Sequence, residues 1–256
     1  MRRRKRNRIV IWMSYKGMLR IGLGLAMVAL TFVLLTQEMP ASRTWSYWTM
    51  PLSGKVIVID AGHGGVDGGA TSKQGLIEKD LNLAIALHLR DYLQEAGSLV
   101  YLTREGDYDL ADQDTKGYSR RKTEDLLTRV KLIKDKKADL VISIHMNSIP
   151  QTKWSGAQTF YYPSNPHNES LAVLIQEEIK RNLENTNRLA NRADTVYLLK
   201  SLDQIPSALV EVGFLSNPGE AKRLGDAEYQ RKVAASIYQG VLRFTSGEKG
   251  QLKPGA

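Results

Sequence analysis

Lys55-Val56-Ile57-Val58-Ile59-Asp60-Ala61-Gly62-His63-Gly64-Gly65-Val66-Asp67-Gly68-Gly69 is the stretch from which the rest of the chain is read. A short apolar run rich in β-branched residues and stopped by glycines predicts a buried strand and a tight turn. From Glu78 to Ala96 the apolar residues then recur at helical spacing. The same alternation continues along the chain. Leu99 to Thr103 is a second apolar run, Thr123 to Lys136 a second helical stretch, and Leu140 to Ile144 a third apolar run. Gly156 to Tyr162 has period two, Asn168 to Leu183 is helical, Ala208 to Val212 is a buried strand and Ala227 to Phe244 a final helix. Short strands alternating with longer helices predict an α/β fold: a mostly parallel, twisted sheet with helices on both faces. In such sheets ligands bind beyond the carboxyl ends of the strands. Chemistry is therefore to be sought just after each apolar run.

The chain has 256 residues, of which 42% are hydrophobic, enough for one sizeable core. Its net charge of +9 is concentrated at the start. Arg2, Arg3, Arg4, Lys5, Arg6, Arg8, Lys16 and Arg20 stand in the first 20 residues with no acid, which leaves +1 for everything else. A nearly neutral body gives no basic surface for nucleic acid, so none is expected as a partner. The basic cluster runs into the uncharged stretch from Ile21 to Gln37, the pattern of a signal peptide or signal anchor that exports the remainder of the chain across the cytoplasmic membrane. No small-x-small site stands in Glu38 to Ser42, which favours an uncleaved membrane anchor. The expected organisation is a basic and apolar segment over 1–37, a Pro-, Ser- and Trp-containing linker over 38–53, one catalytic domain over 54–245 and a flexible tail over 246–256. With no cysteine, disulfides, thiolate metal sites and cysteine nucleophiles are excluded. Any metal must be held by His, Asp or Glu.

The Gly-rich turn after the first strand fails both phosphate-binding patterns: Asp67 stands where the dinucleotide fingerprint needs glycine, and Ala70 where the P-loop needs lysine. What it offers is a single imidazole, His63, on a flexible turn. His145 comes directly after the run Leu140-Val141-Ile142-Ser143-Ile144 and so reaches an equivalent strand end. Two neutral imidazoles converging on one crevice need only a third ligand and a water to form a catalytic zinc site. Glu78, opening the next helix, can supply that ligand, or it can simply be an acid favoured by the helix dipole. Glu211 lies in Ser207-Ala208-Leu209-Val210-Glu211-Val212-Gly213-Phe214, where a buried acid without compensation costs several kcal/mol. It must face a metal, a cation or a substrate, unless the strand is an edge with a wet face. His88, on a helical stripe with Leu81, Ile85 and Tyr92, and His167, in a Pro-Asn turn, read as ordinary histidines. The charged run Lys131, Lys134, Asp135, Lys136, Lys137 reads as solvated surface.

With these blocks in view, the chain resembles the zinc-dependent N-acetylmuramoyl-L-alanine amidases of the Amidase_3 type over nearly all of Lys55 to Phe244. The resemblance rests on Asp60 to Gly69, Glu78-Lys79-Asp80, Ala138 to Asn147 and Pro206 to Asn217, in that order. It implies that His63, Glu78 and His145 hold Zn2+, that Glu211 is the catalytic acid/base, and that the substrate is the amide joining muramic acid to the stem peptide of peptidoglycan. The short anchored layout without wall-binding repeats is most similar to the germination-specific members from spore formers, which implies spore cortex as the wall in question. Asn191-Arg192-Ala193 departs from the family's Asn-Arg-Gly, and Ile133-Lys134 from its Ala-Asn; neither touches an implied ligand. A zinc peptidase acting on stem-peptide bonds, or a wall-binding protein without turnover, would share much of this pattern. Whether a partner protein is needed is not legible.

Overall fold

The computed structural model describes residues 14–36 and 50–252, which form two separate units, one on each side of residues 49 and 50. In the first, helix α1 (Tyr15–Thr36) includes the 19-residue span Tyr15–Val33, long and apolar enough to cross a membrane. Its Leu23, Leu25, Met27, Val28 and Phe32 are all exposed. The basic residues Arg2 to Arg8 and most of the expected linker lie outside the described residues.

The second unit is built on strands β1 (Val56–Ala61), β2 (Leu99–Leu102), β3 (Leu140–Asn147), β4 (Gln158–Tyr161), β5 (Asn191–Arg192) and β6 (Ser207–Phe214), in the order β2-β1-β3-β6-β4-β5. Helices α2 (Glu78–Glu95), α3 (Tyr118–Asp135), α4 (Pro166–Leu183), α5 (Tyr197–Ser201), α6 (Pro218–Leu224) and α7 (Ala227–Thr245) surround the sheet. β2, β1, β3 and β6 are mutually parallel, while β4 pairs antiparallel with β6 and parallel with β5. The expected α/β sheet is therefore mixed, its last two strands running against the other four.

Period two along the strands sorts their side chains onto two faces. Ile57, Ile59, Ala61, Ile142, Ile144, Met146, Ala208, Val210 and Val212 share one apolar core with Leu81, Ile85 and Leu89 of α2, Leu171, Ile175 and Ile179 of α4, and Val233 and Ile237 of α7. Val58, Val141 and Leu209 point the other way, into a smaller core with Val130 and Ile133 of α3 and Leu198 and Leu199 of α5. The chain steps from β1 out to β2 under α2 and returns across β1 to β3 under α3. Helices leaving on opposite faces open a crevice at the carboxyl ends of β1 and β3, the place where α/β sheets bind ligands.

Several boundaries differ from the sequence reading, each for a local reason. α3 begins at Tyr118 rather than Thr123, because Gly117 at φ 91° lets the chain turn into the helix five residues earlier. The short β5, α5 and α6 were too brief to carry a period. α4 starts at Pro166, with Asn165 capping the His167 amide, so His167 is a helical residue whose exposed ring lies edge-on to Phe244. The domain takes in Leu52, ahead of the expected start at Gly54: its side chain is fully buried, and its amide donates to Ala96 O at 2.9 Å. The stretch 246–252, expected as flexible tail, lies against α4. The Gly250 amide donates to Ser170 Oγ at 2.9 Å, and Leu252 packs on the larger core.

Candidate metal centre

On the face bearing the smaller core, the strand residues change from apolar to polar toward the carboxyl ends. Val58 gives way to Asp60 in β1, Val141 to Ser143 and His145 in β3, and Leu209 to Glu211 in β6. His145 is thus a strand residue rather than the residue after a strand, in register with Glu211 of β6. Just beyond Glu211 the β3–β6 register shifts, bringing Phe214 opposite Asn147.

His63 takes up the left-handed backbone region, φ 63°, in a turn continued by Gly64 and Gly65, also at positive φ. That costs a non-glycine residue about 1–3 kcal/mol and persists only where the surroundings impose it. Two buried arginines impose it. Arg104 donates from Nε to His63 O at 2.7 Å and to Ala61 O at 3.0 Å, and from Nη2 to Gly62 O at 3.0 Å. Arg129 donates from Nη2 to His63 O at 2.6 Å and from Nη1 to Ala61 O and to Asp60 Oδ1, both at 2.8 Å. Asp60 also accepts from Thr103 and Ser143. Burial opposes its charge, but Arg129 and then His145 outweigh burial and hold Asp60 at about 2.

The turn presents His63 to His145 with ring centroids 5.0 Å apart, nearly perpendicular. Between them lies Glu78, the first residue of α2, its Oε1 at 3.2 Å from both His63 Nε2 and His145 Nδ1. The carboxylate is fixed by backbone donors: Met146 N to Oε1 at 3.0 Å and Ala70 N to Oε2 at 2.8 Å. Two glycines make the room. A Cβ on Gly62 would sit 2.3 Å from the His145 ring, and one on Gly69 2.5 Å from Glu78 Oε2. Behind His63, Nδ1 pairs with Asp67 Oδ2 at 2.9 Å. Asp67 is itself held by the Gly69 amide, the Tyr118 hydroxyl and Lys122.

The sites named from sequence therefore come together: one ligand atom each from His63, Glu78 and His145 falls within 4.8 Å of the others. Tetrahedral coordination by N and O at ~2.0–2.1 Å places ligand atoms about 3.3 Å apart, and the two separations from Glu78 Oε1, to His63 Nε2 and to His145 Nδ1, are each 3.2 Å. Charge agrees with geometry. Burial disfavours an imidazolium, yet Asp67 and Glu78 outweigh it and push His63 up to about 9, while the two histidines hold Glu78 well below the usual carboxylate range in spite of its burial. The spot thus draws positive charge, which a metal ion can supply in place of the proton.

Glu211 is the fourth residue. Its Oε2 is enclosed and has no hydrogen-bond partner among the described residues, and burial pushes its carboxyl up, with His145 opposing and Glu78 adding to the rise. With His63, His145, Lys122 and Tyr197 it lines a cavity of ≈ 320 Å³. A larger cavity, ≈ 710 Å³, opens at the opposite ends of the strands around Lys55, Leu140 and Phe244; among the described residues His167 is its only imidazole and no metal-holding cluster converges there. His88 lies half-buried on α2, away from the cluster. Sequence reasoning passed over Asp60, Asp67, Arg104 and Arg129 as functional supports. The signal for two of them was present, since Asp60 and Asp67 stand inside the quoted glycine turn.

A three-ligand cluster beside an unpaired acid, in a crevice at a sheet's carboxyl edge, is suited to metal-assisted hydrolysis. The chain belongs to the N-acetylmuramoyl-L-alanine amidase family (Amidase_3), whose pattern matches residues 57–243. It is 58% identical over 207 residues to the germination-specific N-acetylmuramoyl-L-alanine amidase of Bacillus subtilis (strain 168), covering 81% of this chain and 86% of that one. It is also similar to the CwlD amidase from Clostridioides difficile, solved in complex with the GerS lipoprotein, with a TM-score of 0.74, 43% identity, and coverage of 76% of this chain and 100% of that one. The amidase AmiC2 of Nostoc punctiforme gives a TM-score of 0.65 at 31% identity, covering 76% and 99%.

Proposed function

We propose that this chain is a zinc-dependent hydrolase of the amide between N-acetylmuramic acid and the L-alanine of the stem peptide, acting on spore-cortex peptidoglycan outside the cytoplasmic membrane. The observation that carries the chemistry is the meeting of His63 and His145 on Glu78, each at 3.2 Å, beside the Oε2 of Glu211, which is unpartnered among the described residues. The cortex assignment follows the relative called germination-specific. Residues 1–37 serve in this reading as the export signal and anchor, with α1 as the membrane span. By the same reading a lipoprotein is the class of partner to look for, since the C. difficile relative stands in complex with one.

His63, Glu78 and His145 would hold the zinc, which when bound supplies a Lewis acid that polarises the scissile carbonyl and lowers the pKa of water. Glu211 accepts the proton of the attacking water and passes it to the departing alanine nitrogen. A carboxyl raised by burial suits both halves of that task, because it can hold the proton between the two transfers. Asp67 keeps the His63 ring oriented through Nδ1, leaving Nε2 to face Glu78. Arg104 and Arg129 hold the turn that carries His63 by its carbonyls, so the imidazole keeps its place without a covalent constraint.

The test is to incubate the full chain with purified cortex peptidoglycan, with and without a chelator, and to count newly exposed L-alanine amino termini. Chelator-sensitive release of alanine termini is the expected result. Release of any other amino terminus would replace this reading with stem-peptide cleavage.

A further inference from the structure

Among the described residues no carboxylate pairs with Arg188, which stands beside the strands that carry the site. Gln158 of β4 is in register with Glu211 of β6, so the two side chains share the site face of the sheet. Gln158 Oε1 accepts from Arg188 Nη1 at 3.4 Å, and Arg188 Nε donates to Ser155 O at 3.3 Å. The guanidinium carbon lies over two aromatic rings, 5.5 Å from the centroid of Trp154 and 5.3 Å from that of Phe214. Trp154 is tied in place through Nε1 to Gln151 Oε1 at 3.0 Å and through its carbonyl to Asn217 Nδ2 at 3.1 Å. Arg121, Arg129, Arg181 and Arg243 each pair with a carboxylate, whereas among the described residues none pairs with Arg188. A hollow of ≈ 490 Å³, lined by Ser155 and the segment 184–188, opens beside it. A planar guanidinium held against aromatic rings is preorganised for a planar anion, since little rotamer freedom is lost when it binds.

We propose that Arg188, braced by Trp154 and Phe214, is a specificity-determining residue that binds a carboxylate of the peptide stem on the far side of the scissile amide. The inference rests on the proposed muramoyl-peptide substrate. Adjacent strands place Gln158 and Glu211 with Cβ atoms about 5 Å apart, and with the length of the Gln158 side chain the guanidinium lies on the order of 8–12 Å from the Glu211 carboxyl. Extended peptide covers ~3.3–3.6 Å per residue, so that distance corresponds to the second or third residue of the stem. An acidic stem residue there would meet Arg188 Nη2, which has no partner among the described residues. An amidated one could not offer the same charge.

The test uses the full chain in detergent with Glu211→Gln, so that bound substrate is not consumed. Calorimetry compares two ligands: a muramoyl tripeptide whose second residue bears a free carboxylate, and the same molecule with that group as the carboxamide. The acidic ligand is expected to bind about tenfold more tightly, as one charge-assisted hydrogen bond allows. Adding Arg188→Gln should bring the ratio close to one, and Arg188→Lys should restore part of it. A ratio that survives Arg188→Gln overturns the proposal. So does equal binding of both ligands that Trp154→Ala weakens alike, which would assign the platform to a sugar face. Preference for the acidic ligand without cleavage of cortex at the muramoyl amide would defeat the proposed function and leave this subsite standing. Cleavage without the preference would defeat the subsite alone.

Discussion

One face of the sheet buries Ile57, Ile59, Ile142, Ile144, Ala208 and Val210 under α2, α4 and α7, with aliphatic side chains along the whole length of the strands. The other begins the same way, with Val58, Val141 and Leu209, and then turns to Asp60, Ser143, His145 and Glu211. The apolar face is held by burial, a non-directional force to which any well-packed aliphatic side chain contributes. The polar half of the other face is held by directed contacts, Asp60 to Arg129, Thr103 and Ser143, and the arginines to the carbonyls of the His63 turn. A loss on the first face should therefore cost stability and spare the site. A loss on the second should strike the site first.

The largest expected effect separates two carboxylates of the polar half. Glu211→Gln should keep stoichiometric zinc and a folded domain while turnover falls by roughly 10² to 10⁴. Glu78→Ala should lose both metal and activity. Elemental analysis beside rates on peptidoglycan reads the two together, and zinc retained by Glu78→Ala but lost by Glu211→Gln would reverse their roles.

The comparison between faces is sharpened by a pair of core variants. Arg129→Ala leaves Asp60 buried without its partner and should cost about 3–5 kcal/mol. Ile142→Ala empties a fully buried site on the apolar face and should cost about 2–5 kcal/mol. Denaturant melts give the energies, and zinc affinity of the folded protein gives the contrast. Arg129→Ala should weaken metal binding through the loosened His63 turn, and Ile142→Ala should not. Equal loss of affinity would mean that the two faces are not mechanically separate.

Leu52, fully buried ahead of the expected domain start, extends the apolar face beyond the strands. Leu52→Ala should lower stability by about 2–3 kcal/mol with unchanged zinc content, measured by thermal and denaturant unfolding. An unaffected melting curve would place that segment outside the cooperative unit.

A smaller effect is expected from pH. Asp60 titrates at about 2 in the folded domain against 3.8 for an ordinary aspartate. A depressed carboxylate adds stability above its unfolded value and loses it as pH falls through the folded one, so about 2 kcal/mol should disappear between pH 3.8 and about 2. Asp60→Asn lowers the overall level by leaving Arg129 short of a charge, but it should also flatten this part of the curve. Urea titrations at stepped pH would show it, and an unchanged slope would remove Asp60 from the network's energetics.

Most of the sheet was legible because its periodicity is local. Apolar runs at 55–60, 99–103, 140–144 and 208–212 correspond to β1, β2, β3 and β6, and four helical stretches to α2, α3, α4 and α7. The chemistry was legible by type as well: with no cysteine, His63, His145 and Glu211 at strand ends and Glu78 at a helix start were the natural metal-site and proton-transfer candidates, and they line or flank one crevice. What the sequence alone could not decide depends on partners distant along the chain. The reversed β4 and β5 follow from pairing with β6, and β5, α5 and α6 are too short to show a period. Arg104 and Arg129 look like surface cations until sequence separations of 41 and 66 are folded away and both reach the carbonyl of His63. Glu211 acquires its role only when β3 and β6 pair, because register alone sets its carboxyl beside His145. Local pattern thus determined which segments form and which residues can do chemistry, whereas burial and register, which are properties of pairs of segments, decided what each of those residues faces.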